Sequence, residues 1–261
     1  MSFVRYLRLA TRALLVLLWT ILMHNIGIRI PQIFYKNKRY PKTIHWWGKG
    51  LARIMGIRIH TENKPPEKTG DMIIANHMGF LDIPVMLTFF SAVFIIKKEM
   101  SRPFYFGPAL VKQGHLFVDR GNRRSMRKTA MGLMKLFREN ERVIVFPEGK
   151  ASPGAKRLPF HEGSFGVAKR MNKTVQPCVI DYLPDRSMLA WDVDKKMLPQ
   201  LAELFGKKRI DISIKFFPVQ TIDEDPKGFA KKWHDVMESE LEKHDRVHNE
   251  KEKNLEDSTL S

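Results

Sequence analysis

The stretch that decides the fold is MIIANHMGFLD, residues 72–82. Met72 to Ala75 is a short uncharged run centred on two isoleucines, the pattern of a strand covered on both faces. Asn76, His77 and Gly79 follow at once, and Asp82 stands where a helix would open. In open α/β sheets, reactive side chains gather beyond the carboxyl ends of strands. A histidine and an aspartate five residues apart cannot share one face of a straight helix. If the chain turns after the strand and Asp82 starts the next helix, its carboxylate can reach back to the imidazole. It would then fix the tautomer and stabilise the protonated ring, leaving the other nitrogen of His77 to take a proton.

Two more polar clusters adjoin strand-like runs: Gly114-His115-Leu116-Phe117-Val118-Asp119-Arg120-Gly121 and Phe146-Pro147-Glu148-Gly149-Lys150. Arg120 offers a planar fork suited to a phosphate, and Lys150 a flexible positive charge. Glu148 is expected to orient Arg120 or to bind a substrate hydroxyl. Gly149 would let backbone amides approach a substrate oxygen.

Around these clusters the chain alternates between β-rich and helical runs. Strands are predicted at Ile57–His60, Met72–Ala75, Val93–Lys97, Leu116–Val118, Val143–Phe146, Gln176–Ile180 and Ile210–Phe217. Helices are predicted around Ile83–Phe90, Ser125–Arg138 and Gly163–Met171, and an amphipathic one on Phe229, Trp233, Val236, Met237 and Leu241. This alternation predicts the α/β class: a mixed, mostly buried β-sheet flanked by helices, preceded by an N-terminal membrane-associated helical pair. Pro65-Pro66 marks the entry loop. The expected organisation is an anchoring segment over 1–56, a main domain over 57–245 and a charged, disordered tail over 246–261.

The charge is unevenly placed. The net charge is +17, from 45 Lys and Arg against 28 Asp and Glu, and the first acidic residue is Glu62. Before it stand Arg5, Arg8, Arg12, Arg29, Lys36, Lys38, Arg39, Lys42, Lys49, Arg53 and Arg58. Among them runs ALLVLLWTILM, Ala13 to Met23, too short to span a bilayer alone but apolar enough to enter one leaflet or lie at the interface. Phe34, Tyr35, Tyr40, Trp46 and Trp47 are interleaved with the basic residues, as at headgroup depth. Trp47, Leu51 and Ile54 recur at helical spacing. Nucleic acid would exert the same pull on the charge but would not explain the apolar run, so an anionic membrane is the expected partner. The one cysteine, Cys178, lies in an apolar run and reads as a buried, inert thiol. A covalent serine mechanism lacks its Gly-x-Ser-x-Gly frame, since Gly163-Ser164-Phe165-Gly166 does not fit it. No HExxH or close Cys/His spacing points to a metal among His77, Asp82, Asp119, Glu148 and His161. A non-enzymatic membrane adaptor would leave the three clusters without a purpose.

The ordered set Asn76–Asp82 (NHxxxxD), Gly114–Arg120, Phe146–Gly149 (FPEG) and the proline-containing apolar segment Val175–Ile180 resembles the glycerolipid acyltransferases, specifically the bacterial 1-acylglycerol-3-phosphate acyltransferases. The resemblance covers about Ile57 to Phe217, with Lys97-Lys98-Glu99 and Leu158–Gly163 fitting the linking stretches. It implies direct acyl transfer in a ternary complex of enzyme, lysophospholipid and an acyl thioester of coenzyme A or acyl carrier protein. His77 would deprotonate the acceptor hydroxyl and Asp82 would hold His77. Arg120, Glu148 and Gly149 would bind the phosphate region, with Lys150 beside them, and Lys98 or a backbone amide would stabilise the oxyanion. No metal and no other cofactor is implied, and the expected location is the cytoplasmic face of the inner membrane. Two positions depart from the family: Gly79 replaces its usual serine, and Lys150-Ala151 replaces a threonine and an arginine. The second departure bears on headgroup identity rather than on reaction type.

Overall fold

The computed structural model describes residues 3–30, 41–63, 69–101, 110–152, 158–183, 189, 190, 192 and 195–259. Phe34, Tyr35, Tyr40 and Pro65-Pro66 lie outside them. In chain order the elements are α1 (Phe3–His24), α2 (Pro41–Met55), β1 (Ile57–Glu62), β2 (Met72–Ala75), α3 (Asp82–Phe89), β3 (Val93–Lys97), β4 (Leu116–Val118), α4 (Arg123–Arg138), β5 (Val143–Val145), α5 (Gly163–Arg170), β6 (Val175–Leu183), α6 (Met197–Gly206), β7 (Ile210–Phe216) and α7 (Pro226–Thr259). A π-helical turn, Asn25–Arg29, continues α1, and a 3-10 turn, Lys98–Ser101, follows β3.

The seven strands form one mixed sheet in the order β1-β7-β6-β2-β5-β3-β4. Strands β2 to β6 run parallel, and β7 turns antiparallel against β6 before pairing with β1. Every residue of β2 and β5 is buried, as their unbroken apolar sequences require of strands covered on both faces. The parallel run brings the carboxyl ends of β2, β3, β4 and β5 to one edge. Strand β6 extends that edge. Its first residues, Val175 to Cys178, pair with the whole of β2, and the rest continues past the end of β2 alongside β7.

Helix α4 buries Thr129, Leu133, Leu136 and Phe137 and begins on Asn122, whose side chain accepts from the amides of Arg124 and Ser125. Helix α7 buries Phe229, Trp233, Met237 and Leu241, four positions of one stripe. It then continues to Thr259, so residues 246–259, expected to be a disordered tail, are helical. Their Glu- and Lys-rich composition has good helix propensity, and elongating a packed helix needs no new nucleus. Helix α6 was not anticipated. Pro199 within its first turn reads as a breaker, yet proline is tolerated there because that amide has no intrahelical partner.

Helices α1 and α2 interlock through tryptophans. The Trp19 indole donates to the Trp47 carbonyl (3.1 Å), and the Trp47 indole donates to Thr20 Oγ1 (3.1 Å). Gly50 is required by this contact, because a Cβ there would lie 2.2 Å from the Trp19 ring. The pair is also fastened to the sheet domain. Arg8 donates to the Gly206 carbonyl (3.0 Å), and Arg12 donates to the carbonyls of Phe205 (3.2 Å), Lys207 and Lys208 (3.2 Å). These groups sit at and just beyond the C-terminus of α6, where carbonyls lack helical partners and cations are favoured. Arg8 and Arg12, expected to face an anionic surface, therefore cap a helix instead. The other face of α1 exposes Phe3, Leu7, Leu14, Leu15, Leu17, Leu18 and Leu22. The helical stretch Phe3–Gly27, 25 residues, is by length and composition long enough to cross a membrane, unlike the shorter run read from the sequence.

Candidate active site

The site starts where β2 ends. Asn76 turns inward and clamps β6, its amide nitrogen donating to the Ile180 carbonyl (2.9 Å) and its oxygen accepting from the Ile180 amide (2.8 Å). This leaves His77 at the strand end with its ring stacked on Phe146, centroids 4.3 Å apart. The chain then turns, and Asp82 opens α3. Asp82 Oδ2 lies 2.7 Å from His77 Nδ1 and accepts from the amides of Met78 (2.7 Å) and Gly79 (2.9 Å). Oδ1 accepts from the Tyr182 hydroxyl at 2.6 Å. Four donors thus replace the water a fully buried carboxylate has lost. The His77 side chain is 20% exposed and that of Asp82 0%, so of the pair only the imidazole is accessible from outside. With Nδ1 held by the carboxylate, Nε2 is the nitrogen left to accept a proton.

Tyr182 has no counterpart in the sequence reading. It comes from the part of β6 that overshoots β2, and burial, then the Asp82 charge, push its phenol well above the ordinary value. It therefore stays a hydroxyl donor. Its contact joins residues a hundred positions apart, which no local pattern reveals.

Of the two roles expected of Glu148, the pairing with Arg120 is not made among the described residues. Glu148 Oε1 accepts from the His77 backbone amide (2.9 Å), and Oε2 accepts from Ser152 Oγ (2.8 Å) and the Leu158 amide (3.4 Å). The Ser152 amide in turn donates to the His77 carbonyl (3.0 Å), so the FPEG turn grips the histidine backbone from both sides. Burial raises the Glu148 pKa, opposed by these hydrogen bonds and by His77. A carboxyl raised in the folded state holds its proton more tightly than in the unfolded chain. Stability should therefore fall as pH rises from the ordinary glutamate value through the raised one. Glu148→Gln is expected to keep stability within about 1 kcal/mol, because its amide can still pair with His77 and Ser152, and to flatten that slope. Glu148→Ala should cost about 2–4 kcal/mol by orphaning the three donors it satisfies. Thermal unfolding between pH 4 and 8, on the order of the carboxylate range and above, measures both.

Arg120 follows β4 and lies against Gly149. A Cβ on Gly149 would fall 1.2 Å from Arg120 Nη1, and Gly149 holds φ +81°, where a side chain is strained. The Gly149 amide donates to the Phe146 carbonyl (3.0 Å), so the glycine admits the guanidinium rather than offering its own N–H to substrate. Among the described residues Arg120 has no acidic partner, and burial lowers its pKa from a high ordinary value. His161, attached through its amide to the Pro147 carbonyl (3.0 Å), has its pKa lowered by burial and by the Arg120 charge. It joins the neighbourhood of Arg120 and was not singled out as a binding residue. Lys98 is exposed, 3.9 Å from Asp119 Oδ2, and Lys150 is exposed beyond Gly149. Neither makes a contact with His77 or Asp82 among the described residues. His115 is structural, its Nδ1 accepting from the Phe94 amide (3.0 Å). Cys178 is buried, and burial pushes its thiol far up, consistent with an inert core residue.

The acyltransferase family model matches residues 56–181. The chain is similar to the lyso-ornithine lipid O-acyltransferase of Brucella abortus, at 28% identity over 75% of this chain and 79% of the relative. It is also similar to the 1-acyl-sn-glycerol-3-phosphate acyltransferase of Neisseria gonorrhoeae, at 25% identity over 71% and 74% respectively. Among solved structures it matches the 1-acyl-sn-glycerophosphate (LPA) acyltransferase PlsC of Thermotoga maritima with a TM-score of 0.63, covering 90% of this chain and 97% of that one. At 20% identity this last likeness is one of fold.

Proposed function

We propose that this chain, which carries the domain of the acyltransferase family over residues 56–181, is an enzyme that acylates the free hydroxyl of 1-acylglycerol-3-phosphate, giving phosphatidic acid, with acyl-CoA or acyl carrier protein as donor. The observation that carries the reading is the His77–Asp82 pair at the carboxyl end of β2, with Arg120 on the same sheet edge. His77 Nε2 takes the proton of the acceptor hydroxyl as its oxygen attacks the thioester carbonyl. Asp82 stabilises the imidazolium so formed. The tetrahedral intermediate then expels the thiolate, which recovers the proton from His77, so no acyl-enzyme forms. Arg120, forked and without an acidic partner among the described residues, takes the acceptor phosphate.

A second acceptor class has specific support. Relatives from Brucella abortus and Rhizobium meliloti carry the name lyso-ornithine lipid O-acyltransferase, and an amino-acid headgroup offers a carboxylate to the same guanidinium. The deciding experiment gives the purified protein both acyl donors against lysophosphatidate, lyso-ornithine lipid and neutral lysolipids. Highest kcat/KM with lysophosphatidate is expected. Transfer confined to lyso-ornithine lipid would overturn the phosphate assignment while keeping the reaction type.

Membrane association follows the exposed leucine face of α1, and the fastening of Arg8 and Arg12 to α6 supports a helix lying at the interface of the cytoplasmic leaflet. Leu14→Ser/Leu15→Ser/Leu18→Ser should lower partition onto liposomes by at least the order of a thousandfold, since burying each leucine contributes about 1.5–3 kcal/mol. High salt should release wild-type protein far less, because it screens charge but not apolar burial. Flotation assays measure both, and full release by salt alone would remove the apolar anchor.

A further inference from the structure

An open cleft of about 1070 Å³ lies at the base of the α1–α2 pair, lined by Trp19, Trp46, Lys49, Arg53, Arg58, Lys208 and Arg209 among others. None of the groups that assemble around His77 lines it. Its polar chemistry is one-sided: five cations converge and no acidic residue is among the lining. Arg209 is offset by Asp211. Lys49, Arg53, Arg58 and Lys208 have no acidic partner among the described residues. Like charges gathered around one cleft repel each other, so an anion that enters is favoured by each of them.

The rest of the lining says where that anion comes from. The cleft adjoins α1, whose outer face exposes leucines, and its rim carries Trp46, a half-exposed indole. Tryptophan, lysine and arginine beside an apolar helix is the combination that settles at the headgroup layer of a bilayer. A soluble anion or an acidic protein would need the charges but not the apolar flank. We propose that this cleft is a second lipid site: it holds the phosphate of an anionic bilayer phospholipid, apart from the acceptor site at Arg120. The proposal rests on the membrane residence argued above.

The test compares full-length protein with Lys49→Gln/Arg53→Gln/Arg58→Gln, all three exposed in the native fold. A control, Lys128→Gln/Lys135→Gln/Arg138→Gln on α4, removes the same charge elsewhere. Binding is measured at low salt to phosphatidylcholine vesicles and to vesicles with a third of the lipid replaced by phosphatidylglycerol. Each basic group near an anionic surface is worth about a fivefold gain, so the cleft variant should lose on the order of a hundredfold in preference for the anionic vesicles. It should still bind neutral vesicles and still turn over a detergent-dispersed acceptor, which shows that it is folded. The control should keep most of its preference. Millimolar inorganic phosphate should not displace the wild type; displacement would show a free-phosphate site and overturn the lipid assignment. Equal losses in cleft variant and control would show diffuse attraction and overturn it too. Unchanged vesicle preference with weakened use of an acyl carrier protein donor would make the cleft a protein dock, again overturning it. Failure of wild-type protein to bind either vesicle would instead remove the membrane reading itself, and this proposal with it.

Discussion

His77→Ala is expected to lower kcat by about 10²–10⁴-fold, the usual contribution of a positioned general base, at a cost of only about 1–3 kcal/mol of stability as Asp82 loses one of its four donors and Phe146 its stacking partner. The fold should tolerate it because the backbone of residue 77, not its ring, carries the bonds to Glu148 and Ser152. Asp82→Asn should be similarly severe for a different reason. With its oxygen at the Oδ2 position, asparagine can still accept from Met78, Gly79 and His77, and the Tyr182 hydroxyl can rotate to accept from the new amide. Geometry survives and the charge that stabilises imidazolium does not. The double variant should therefore lose far less than the product of the single losses, since the pair acts as a unit. Tyr182→Phe separates support from chemistry. It leaves Asp82 Oδ1 one donor short in a buried place, at a cost of about 1–3 kcal/mol of stability, with a smaller loss in kcat. Steady-state kinetics with purified variants decides the matter, and near wild-type turnover in His77→Ala would dismiss the mechanism.

Gly149→Ala should imitate the loss of Arg120. The new methyl would occupy the space of the guanidinium, and because that group ends a flexible side chain it will move away. The left-handed backbone at position 149 adds strain of about 1–2 kcal/mol, too little to unfold a domain. The expected result is a rise of at least tenfold in acceptor KM with an unchanged donor KM, as for removing one charge-assisted contact of about 1.5–3 kcal/mol. Arg120→Lys should raise the acceptor KM in the same direction, since an ammonium cannot grip a phosphate with two parallel bonds. Adding Gly149→Ala to Arg120→Ala should change little further. Equal rises in both KM values would show that Arg120 serves the fold rather than the acceptor.

The central strands β2 and β5 were legible because each is a compact apolar run, buried along its whole length as such runs demand, whereas β1 and β7 were legible from alternation, IRIHTE and IDISIKF. The His77–Asp82 contact was legible for a related reason: a strand end, a turn and a helix start bring positions five apart face to face. For Glu148 the sequence offered Arg120 or a substrate hydroxyl as partner and gave no sign of a third, the His77 amide, onto which the FPEG turn folds its carboxylate. Tyr182 was invisible, since its meeting with Asp82 depends on how far β6 runs past β2. The same limit applies to Arg8 and Arg12. In sequence they are two more cations beside an apolar run, and only the placement of α6 gives them carbonyls to cap.

That capping changes how the protein would search for its acceptor. An anchor joined by a loose linker lets a catalytic domain sweep a volume of solvent, and its rate then follows bulk concentration. Here Arg8 and Arg12, with the Trp19–Trp47 interlock, weld the apolar helix to the body that carries His77. On a membrane the catalytic edge would thereby be held at one height and tilt above the lipid. Acceptor would reach it only by lateral diffusion, so turnover should scale with the mole fraction of lysolipid in the surface and stay constant when total lipid is diluted at fixed composition.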